Sequence, residues 1–200
     1  MRVLAVADVP SDRFYKFYQP GRLDEFDLIL SCGDLSTEYT EFLVTLAHCP
    51  LVYVHGNHDD VNTREPEGCI CADGRLVEVK GLRILGFGGS YRYRKGRYMY
   101  TERQMKSRVK GFSSQLRKSR GFDILLTHAP AFGLNDLEDL PHRGFECFNT
   151  LLERYEPSYF IHGHVHRNYG INIPQKTQKG KTTIINAFDH CVFDINIDID

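Results

Sequence analysis

The sequence lacks a strong net charge of either sign. Its 25 Lys and Arg residues nearly balance its 26 Asp and Glu residues, which gives a formal net charge of −1 and a pI near 6.7. Such a chain has no global attraction for nucleic acid or for an acidic membrane surface, so specific binding has to come from a local site. The composition therefore argues against long nucleic acid as a ligand.

Long apolar runs are also missing. No stretch of the sequence approaches the roughly 20 consecutive apolar residues that a membrane span needs. The N-terminus enters a strand pattern at once, which leaves no room for a signal peptide. We therefore expect a cytoplasmic protein with no membrane partner.

The six cysteines show no disulfide framework. They are scattered along the chain, which is typical of reduced thiols; they are Cys32, Cys49, Cys69, Cys71, Cys147 and Cys191. The pair in Cys69-Ile70-Cys71 is spaced more closely than structural zinc ligands usually are, and no second pair exists. Ordinary strand cysteines are the favoured interpretation, with a zinc site as the alternative.

Linkers, internal repeats and low-complexity segments are absent as well. The length of 200 residues suffices for one domain with a sizeable core and is too short for two large ones. We predict a single domain over residues 1–200. The sequence leaves its oligomeric state open.

Alternating strand and helix patterns dominate the first third of the chain and favour βαβ units with a largely parallel sheet. Helices are predicted from apolar spacing and strands from apolar alternation, with a hairpin turn at Lys80-Gly81. The predicted helices are a short one near Ser11 to Tyr18, then Thr37 to His48, Thr101 to Ser119 with Gly111 as a weak point, and Phe145 to Tyr155. The predicted hairpin joins 76–79 to 82–87, and the tail segments 170–173, 182–186 and 191–199 are predicted to be antiparallel strands.

Five strand-like runs end in Asp, Asn or His. They lead into Asp8, Gly33-Asp34, Gly56-Asn57-His58-Asp59, His128 and Gly163-His164-Val165-His166. Ligands of open α/β sheets bind at the carboxyl ends of the strands, so residues far apart in sequence can meet there. Taken singly, Asp8 would more often be a cap or turn residue and His128 a core histidine. The ordered set predicts a metal site instead.

Carboxylate, carboxamide and imidazole ligands suit divalent ions such as Mn, Fe or Zn, and a carboxylate can bridge two of them. Two ions about 3.5 to 4 Å apart are common in phosphatases and nucleases, where they hold the attacking and leaving oxygens. Histidines two residues apart in an extended segment face the same side, so His164 and His166 can serve neighbouring ions.

The five motifs, in this order, resemble those of the calcineurin-like metallophosphoesterase family. The resemblance runs from Asp8 to His166 and implies an α/β fold in which a two-layer β-sandwich is flanked by α-helices, with a dinuclear metal site at the strand ends. Mn is the favoured ion. The resemblance implies that Asp8 and His166 hold the first metal, that Asp34 bridges, and that Asn57, His128 and His164 hold the second.

The same resemblance implies a catalytic role for His58, which would contact the phosphate and assist the leaving group, with Asp59 orienting its ring. One position departs from the family pattern. The first motif usually reads Asp-x-His, but Asp8-Val9-Pro10 has a proline that cannot coordinate through its side chain. We therefore expect a weaker first metal site, in which Asp12 or water fills the gap.

A basic and aromatic segment, Tyr91 to Tyr98, follows Gly88-Gly89 and predicts a loop near the site. Arg92 and Arg94 are candidate phosphate contacts, while the tyrosines can stack a base. Arg167, directly after the last motif, is a third candidate. The competing interpretation is a solvated loop whose tyrosines pack on the core.

These observations predict a metal-dependent phosphoesterase in which a metal-bound hydroxide attacks a small or nucleotide-like phosphate ester. The resemblance favours a phosphodiester over a monoester. The alternative is a metal-binding scaffold of the same fold with weak or no turnover, which the proline after Asp8 supports and His58 opposes. A nuclease acting on long nucleic acid would require a more basic surface.

Overall fold

The computed structural model describes residues 1–59, 64–169 and 173–196. The described residues form thirteen strands and four α-helices. The strands are β1 Arg2–Ala7, β2 Leu28–Ser31, β3 Leu51–Tyr53, β4 Ile70–Cys71, β5 Arg75–Val79, β6 Leu82–Phe87, β7 Ser90–Tyr91, β8 Met99–Tyr100, β9 Ile124–Thr127, β10 Tyr159–His162, β11 Lys176–Lys179, β12 Thr182–Asn186 and β13 Asp189–Asp194. The helices are α1 Thr37–Ala47, α2 Glu102–Gly111, α3 Ser113–Lys118 and α4 Glu146–Tyr155, with a 3₁₀ turn at Leu140–His142.

Two sheets form the centre of the fold. The first has the order β13-β1-β2-β3-β4 and the second the order β11-β12-β10-β9-β6-β5. Strands β1 to β4 pair in parallel, as do β6, β9, β10 and β12. The antiparallel strands β13, β11 and β5 lie at sheet edges. The predicted two-layer sandwich is confirmed, and all parallel strands point their carboxyl ends toward one edge of their own sheet.

Side chains alternate between the two faces of each sheet and form three apolar layers, one between the sheets and one on each outer face. In β1, Val3 and Ala5 face the second sheet, whereas Leu4 and Val6 face the outer layer that contains α1. The outer face of the second sheet buries Leu125 and Phe160 against α2, α3 and α4. Strands covered on both faces read as nearly continuous apolar runs, which is why the sequence pattern identified them.

Several predicted elements agree with the structure. Helix α1 ends at Ala47, α4 spans most of the predicted segment, and β5 and β6 form the predicted hairpin. Lys80 and Gly81 both have positive φ, 52° and 79°, as a two-residue turn between antiparallel strands requires. The pair Cys69 and Cys71 lies in or next to the short strand β4.

Four predictions need correction. Ser11 to Tyr18 forms successive turns instead of a helix, because so short a segment gains little from helix formation and is held by burial of Phe14. The segment from Thr101 to Ser119 divides into α2 and α3 at Phe112, whose ring packs edge-on against Phe87 at 5.6 Å.

In the tail, β12 pairs antiparallel with β11 but runs parallel to β10, where an antiparallel strand was predicted. Strand β13 pairs antiparallel with β1 as predicted, but it begins and ends earlier. The predicted strand 170–173 lies almost entirely outside the described residues. None of the helices in the described part of the chain has the length and apolarity of a membrane span.

Candidate metal centre

The strand ends that carry the motifs converge where the two sheets meet. Within the first sheet, the Asp8 amide donates to the carbonyl of Gly33 at 3.2 Å. Between the sheets, His128 Nδ1 lies 2.7 Å from the carbonyl oxygen of Cys32. Within the second sheet, the Gly163 amide donates to the carbonyl of His128 at 3.0 Å. Tertiary structure thus brings together five segments that lie far apart in sequence.

The backbone at this junction is tightly constrained. Asp8, Asp34 and His164 all have left-handed conformations, with φ of 69°, 56° and 67°. Non-glycine residues adopt this region at a cost of about 1 to 3 kcal/mol each, and they keep it only where surrounding contacts enforce it. At Gly56 a Cβ atom would collide with the Asp34 carboxylate, so only glycine allows that approach.

One group of side chains centres on His128. Its Nε2 lies 2.9 Å from Asn57 Oδ1 and 3.3 Å from Asp34 Oδ2. Because Nδ1 donates to the Cys32 carbonyl, Nε2 is the ring nitrogen whose lone pair is available in the neutral ring. Asn57 Nδ2 is buried and has no hydrogen-bond partner among the described residues.

A second group centres on Asp8. Both of its carboxylate oxygens accept from the His164 amide at 3.0 Å, and His166 Nε2 lies 3.9 Å from Oδ1. His164 Nε2 lies 2.8 Å from the Pro141 carbonyl oxygen, so Nδ1 carries the lone pair in the neutral ring. Ligand atoms of Asp8, Asp34 and His128 all lie within 4.8 Å of one another, which joins the two groups into one cluster.

The electrostatics of the cluster favour a bound cation. Burial, with help from the charge of Asp34, raises the pKa of Asp8 to about 7 despite the nearby His128. Burial also raises the pKa of Asp59, and Asp34 adds to the effect. Burial alone would raise the pKa of Asp34, but the charge and hydrogen bond of His128 outweigh it and hold that pKa below its usual value. Three crowded carboxyl groups share one histidine cation, so a divalent ion would relieve their repulsion.

Two of the three candidate histidine ligands, His164 and His166, favour the neutral ring that binds metal, whereas His128 favours the protonated ring. Burial lowers the pKa of His164 far below its usual value, and the charge of His128 lowers it further. Burial and the charge of His142 also lower the pKa of His166. Burial would lower the pKa of His128, but the charges of Asp34 and Asp8 raise it, so in the metal-free protein a proton occupies the place that a metal ion would take. The donor set of carboxylate, carboxamide and imidazole fits divalent transition-metal ions.

His58 lies at the mouth of a pocket beside this cluster. The pocket has a volume of about 220 Å³. Its described lining residues are Asp8, Asp34, His58, Tyr93, Pro141, His142, His164, His166 and Tyr169. The His58 amide donates to Asp34 Oδ1 at 2.7 Å, which fixes the backbone while the side chain remains exposed. Asp59 Oδ2 accepts from the Gly56 amide at 2.7 Å, so Asp59 shapes the loop that carries Asn57 and His58.

The three arginines singled out by sequence do not line this pocket. The Arg92 guanidinium donates to the carbonyl of Met99 at 3.3 Å, and Arg94 stacks on Tyr93 with 5.4 Å between the guanidinium carbon and the ring centroid. Arg167 lines a neighbouring depression with Phe188, whose ring packs on His166. Asp12 is 69% exposed and lies 4.0 Å from Lys16, at the surface.

Sequence reasoning missed two aromatic residues of the pocket wall, His142 and Tyr169, and included the third, Tyr93, among the tyrosines that can stack a base. The His142 ring packs against His164 with centroids 5.3 Å apart and against Tyr169 at 5.2 Å, and Tyr169 stacks on His166 at 4.9 Å. Tyr93 lines the wall between the two arginines that the sequence favoured. The only sequence feature that could have identified His142 and Tyr169 is their position after the motifs of His128 and His166, because loops that follow ligand-bearing strand ends lie at the same edge of the sheet.

Comparison with known proteins agrees with this geometry. The sequence profile of the calcineurin-like phosphoesterase family matches residues 1–168. A UPF0046 protein of Caenorhabditis elegans is 24% identical and aligns with 82% of this chain and 69% of its own length. Human metallophosphoesterase domain-containing protein 1 is 26% identical over 60% of this chain, and the alignment spans 34% of the human protein.

A solved structure has the same fold. The crystal structure of TT1561 of Thermus thermophilus superposes with a TM-score of 0.60 at 16% sequence identity, covering 94% of this chain and 89% of that one. The profile match covers most of the chain and includes all five motifs. The chain therefore belongs to the calcineurin-like phosphoesterase family, which normally binds divalent metal ions and hydrolyses phosphate esters.

Proposed function

We propose that this protein is a metal-dependent phosphodiesterase that hydrolyses small or nucleotide-like phosphate esters. The observation that carries the proposal is the convergence of six candidate metal-ligand side chains beside a pocket that is also lined by the exposed His58. We assign Asp8 and His166 to the first ion, Asp34 to a bridging position, and Asn57, His128 and His164 to the second ion. When bound, two divalent ions activate water for attack and offset the negative charge of the phosphate; Mn is the favoured ion.

Hydrogen bonds within the chain orient the candidate ligand histidines and position His58. The Cys32 and Pro141 carbonyls fix the ring tautomers of His128 and His164, so each presents one defined nitrogen. The His58 amide bonded to Asp34 places an imidazole at the pocket mouth. We assign His58 the role of donating a proton to the leaving oxygen, and Asp59 the role of holding the loop in place.

Pocket size and charge support a small diester. A volume of about 220 Å³ holds a phosphate group with a modest substituent, below the usual range for drug-sized ligands. Of the described residues that line it, none is Lys or Arg. A monoester dianion carries one more negative charge than a diester, so Lys or Arg side chains in the pocket would stabilise a bound monoester more strongly. A pocket wall without Lys or Arg among its described residues therefore favours a diester over a monoester.

The aromatic wall supports a planar substituent on the phosphate. Tyr93, His142 and Tyr169 line the pocket, and aromatic side chains stack nucleobases without sequence preference. Arg94 and Arg167 lie outside the pocket, so we assign them contacts with substrate atoms remote from the reacting phosphate. Arg92 would act through the guanidinium protons that remain free of the Met99 carbonyl.

A single comparison tests the proposal. Metal-stripped protein is titrated with Mn²⁺ and assayed on bis-p-nitrophenyl phosphate and, in parallel, on p-nitrophenyl phosphate. Asp34→Asn removes the bridging carboxylate, and His48→Asn alters an exposed histidine at the C-terminus of α1, at the opposite end of the adjoining strands. We expect Mn-dependent diester hydrolysis that exceeds monoester hydrolysis, is lost in Asp34→Asn and is retained in His48→Asn.

Pro10 favours a second candidate, a metal-binding scaffold of the same fold without turnover. Proline removes the imidazole that the family places two residues after the first aspartate, so one ion would have fewer protein ligands. In that case the titration would show Mn²⁺ binding without hydrolysis of either ester. Faster hydrolysis of the monoester would instead replace the diesterase with a monoesterase.

A further inference from the structure

A second group of side chains that could hold a metal ion includes a histidine two residues before Asn57. It consists of His55, Glu65 and Cys71, whose ligand atoms all lie within 4.8 Å of one another. Strands β3 and β4 pair in parallel with Tyr53 opposite Cys71, so His55 and Asp73, each two residues farther on, also meet. The sheet register thus places the histidine and the cysteine together, and Glu65 reaches them from the segment before β4.

Asp73 fixes the orientation of the His55 ring. His55 Nδ1 lies 2.9 Å from Asp73 Oδ2, and the other oxygen of Asp73 accepts from the Gly88 amide at 2.8 Å and pairs with Arg108. Burial would raise the pKa of Asp73, but the His55 hydrogen bond and the Arg108 charge hold it below its usual value. The ionised carboxylate keeps the proton on Nδ1 and leaves Nε2 as the available ligand atom, as carboxylates do behind metal-binding histidines.

Glu65 is held in a matching way. The Tyr53 hydroxyl donates to Glu65 Oε2, while Oε1 lies 3.2 Å from His55 Nε2. In the neutral ring, Nε2 presents a lone pair to a carboxylate oxygen, and two acceptors at that distance repel each other unless a cation lies between them. These hydrogen bonds leave His55 Nε2 and Glu65 Oε1 as the free ligand atoms of their side chains. Cys71 Sγ completes the group, and all three ligand atoms lie within 4.8 Å of one another.

The donor types are those of zinc. Imidazole nitrogen, carboxylate oxygen and thiolate sulfur bind zinc at about 2.0 to 2.3 Å, which separates neighbouring ligands of a tetrahedral ion by about 3.3 to 3.7 Å. The three ligand atoms lie within 4.8 Å of one another, so a small shortening of the distances between them gives the spacing of zinc ligands. His55 and Glu65 also line a cavity of about 60 Å³ with Arg97 and Tyr98, which leaves room for a water molecule as fourth ligand.

We propose that His55, Glu65 and Cys71 form a zinc-binding site separate from the candidate metal centre. The six ligands assigned to that centre offer only oxygen and nitrogen, so sulfur ligation by Cys71 distinguishes the two sites. Zinc binds the thiolate, so binding at this site releases the Cys71 proton. The proposal does not depend on hydrolase activity.

Cobalt substitution tests the site, because a cobalt–thiolate bond gives a charge-transfer absorption band that oxygen and nitrogen ligands do not give. Metal-stripped, reduced protein is titrated with Co²⁺ and then with Zn²⁺ as competitor. Cys71→Ser is compared with Cys69→Ser, a matched control at a partly buried cysteine two residues away. Glu65→Gln is a second variant, chosen because the Glu65 side chain is 63% exposed and its replacement leaves the core intact.

We expect one cobalt equivalent with a thiolate band that zinc abolishes. Cys71→Ser should lose the band and one bound equivalent, and Cys69→Ser should keep both. Glu65→Gln should weaken cobalt binding at this site by about 10-fold or more, since even loss of a supporting group costs about 10- to 100-fold in affinity. Absence of a thiolate band, a band that persists in Cys71→Ser, or unchanged affinity in Glu65→Gln would overturn the proposal and leave the cluster as a hydrogen-bond network in which Asp73 and Glu65 contact His55.

Discussion

The exposed His58 allows a direct test of leaving-group protonation. We predict that His58→Ala slows hydrolysis of alkyl phosphodiesters far more than hydrolysis of p-nitrophenyl diesters. An alkoxide leaves as a strong base and needs a proton, whereas p-nitrophenolate departs readily without one. The effect of the mutation should therefore grow as the leaving group becomes more basic.

The structure sets the size of the effect and separates it from damage to the fold. The contact of His58 with Asp34 is made by its backbone amide, which alanine retains, and its side chain is exposed. We expect a change in the free energy of unfolding within about 0.5 kcal/mol. General acid catalysis contributes about 10²- to 10⁴-fold, so the rate with an alkyl leaving group should fall by that factor.

The assay measures kcat/KM for a series of aryl and alkyl diesters, with wild type and His58→Ala saturated with Mn²⁺. The logarithm of each rate constant is plotted against the pKa of the leaving alcohol. The slope should be steeper for the variant, because the leaving oxygen must bear its negative charge unaided. Bound metal is measured in both proteins as the control.

Equal slopes in the two plots, for wild type and His58→Ala, would refute proton donation by His58. Such a result would mean that His58 stabilises the phosphate equally for every leaving group and donates no proton. A loss of bound Mn²⁺ in His58→Ala would instead show that the side chain supports the metal centre.

Three further predictions concern the metal centre and the fold. Pro10→His should tighten Mn²⁺ binding at the first site by at least about 10-fold in calorimetric titrations, because it supplies the imidazole that the family motif places there; unchanged affinity would show that position 10 does not reach the ion. Gly56→Ala should abolish Mn²⁺ binding, since its Cβ would occupy the space of the Asp34 carboxylate, while the control Gly111→Ala, which meets no neighbouring atom, should bind normally. Burial would raise the pKa of Asp123, but hydrogen bonds from the Arg83 side chain and amide outweigh it and lower that pKa. The stabilisation is therefore full above the unfolded-state pKa of about 3.9 and is lost as the pH falls through the lower folded-state pKa. Asp123→Asn should cost about 1 kcal/mol in urea unfolding at about pH 7 and progressively less as the pH falls below about 3.9, and a cost independent of pH would exclude this origin.

Much of the fold could be predicted from local pattern. Doubly buried strands such as β9 and β10 are short apolar runs, and α1 and α4 have helical spacing with clear ends. The prediction failed where local preference is weak and packing decides. The turns at 11–18 and the break at Phe112 are set by where aromatic side chains are buried, and the direction of β12 is set by its pairing with β10.

The candidate ligands could be found in sequence because each follows a strand and carries a metal-binding side chain. Their assignment to individual ions stays a prediction. The sequence offered no comparable signal for the pocket wall, since His142 and Tyr169 come from irregular segments. In the segment from Tyr91 to Tyr98 it predicted both arginine and tyrosine contacts, and of these residues only Tyr93 lines the pocket.

The sequence by itself determined the long buried strands, helices α1 and α4 and the set of candidate metal-binding side chains, because apolar periodicity and residue chemistry are local properties. Only the tertiary structure decided which of these side chains meet. Parallel register brings His55 to Asp73 and Tyr53 to Cys71, and the junction of two sheets brings His128 to the Cys32 carbonyl. Distances, ring tautomers and pKa shifts follow from those contacts, since burial and neighbouring charges exist only once the chain has folded.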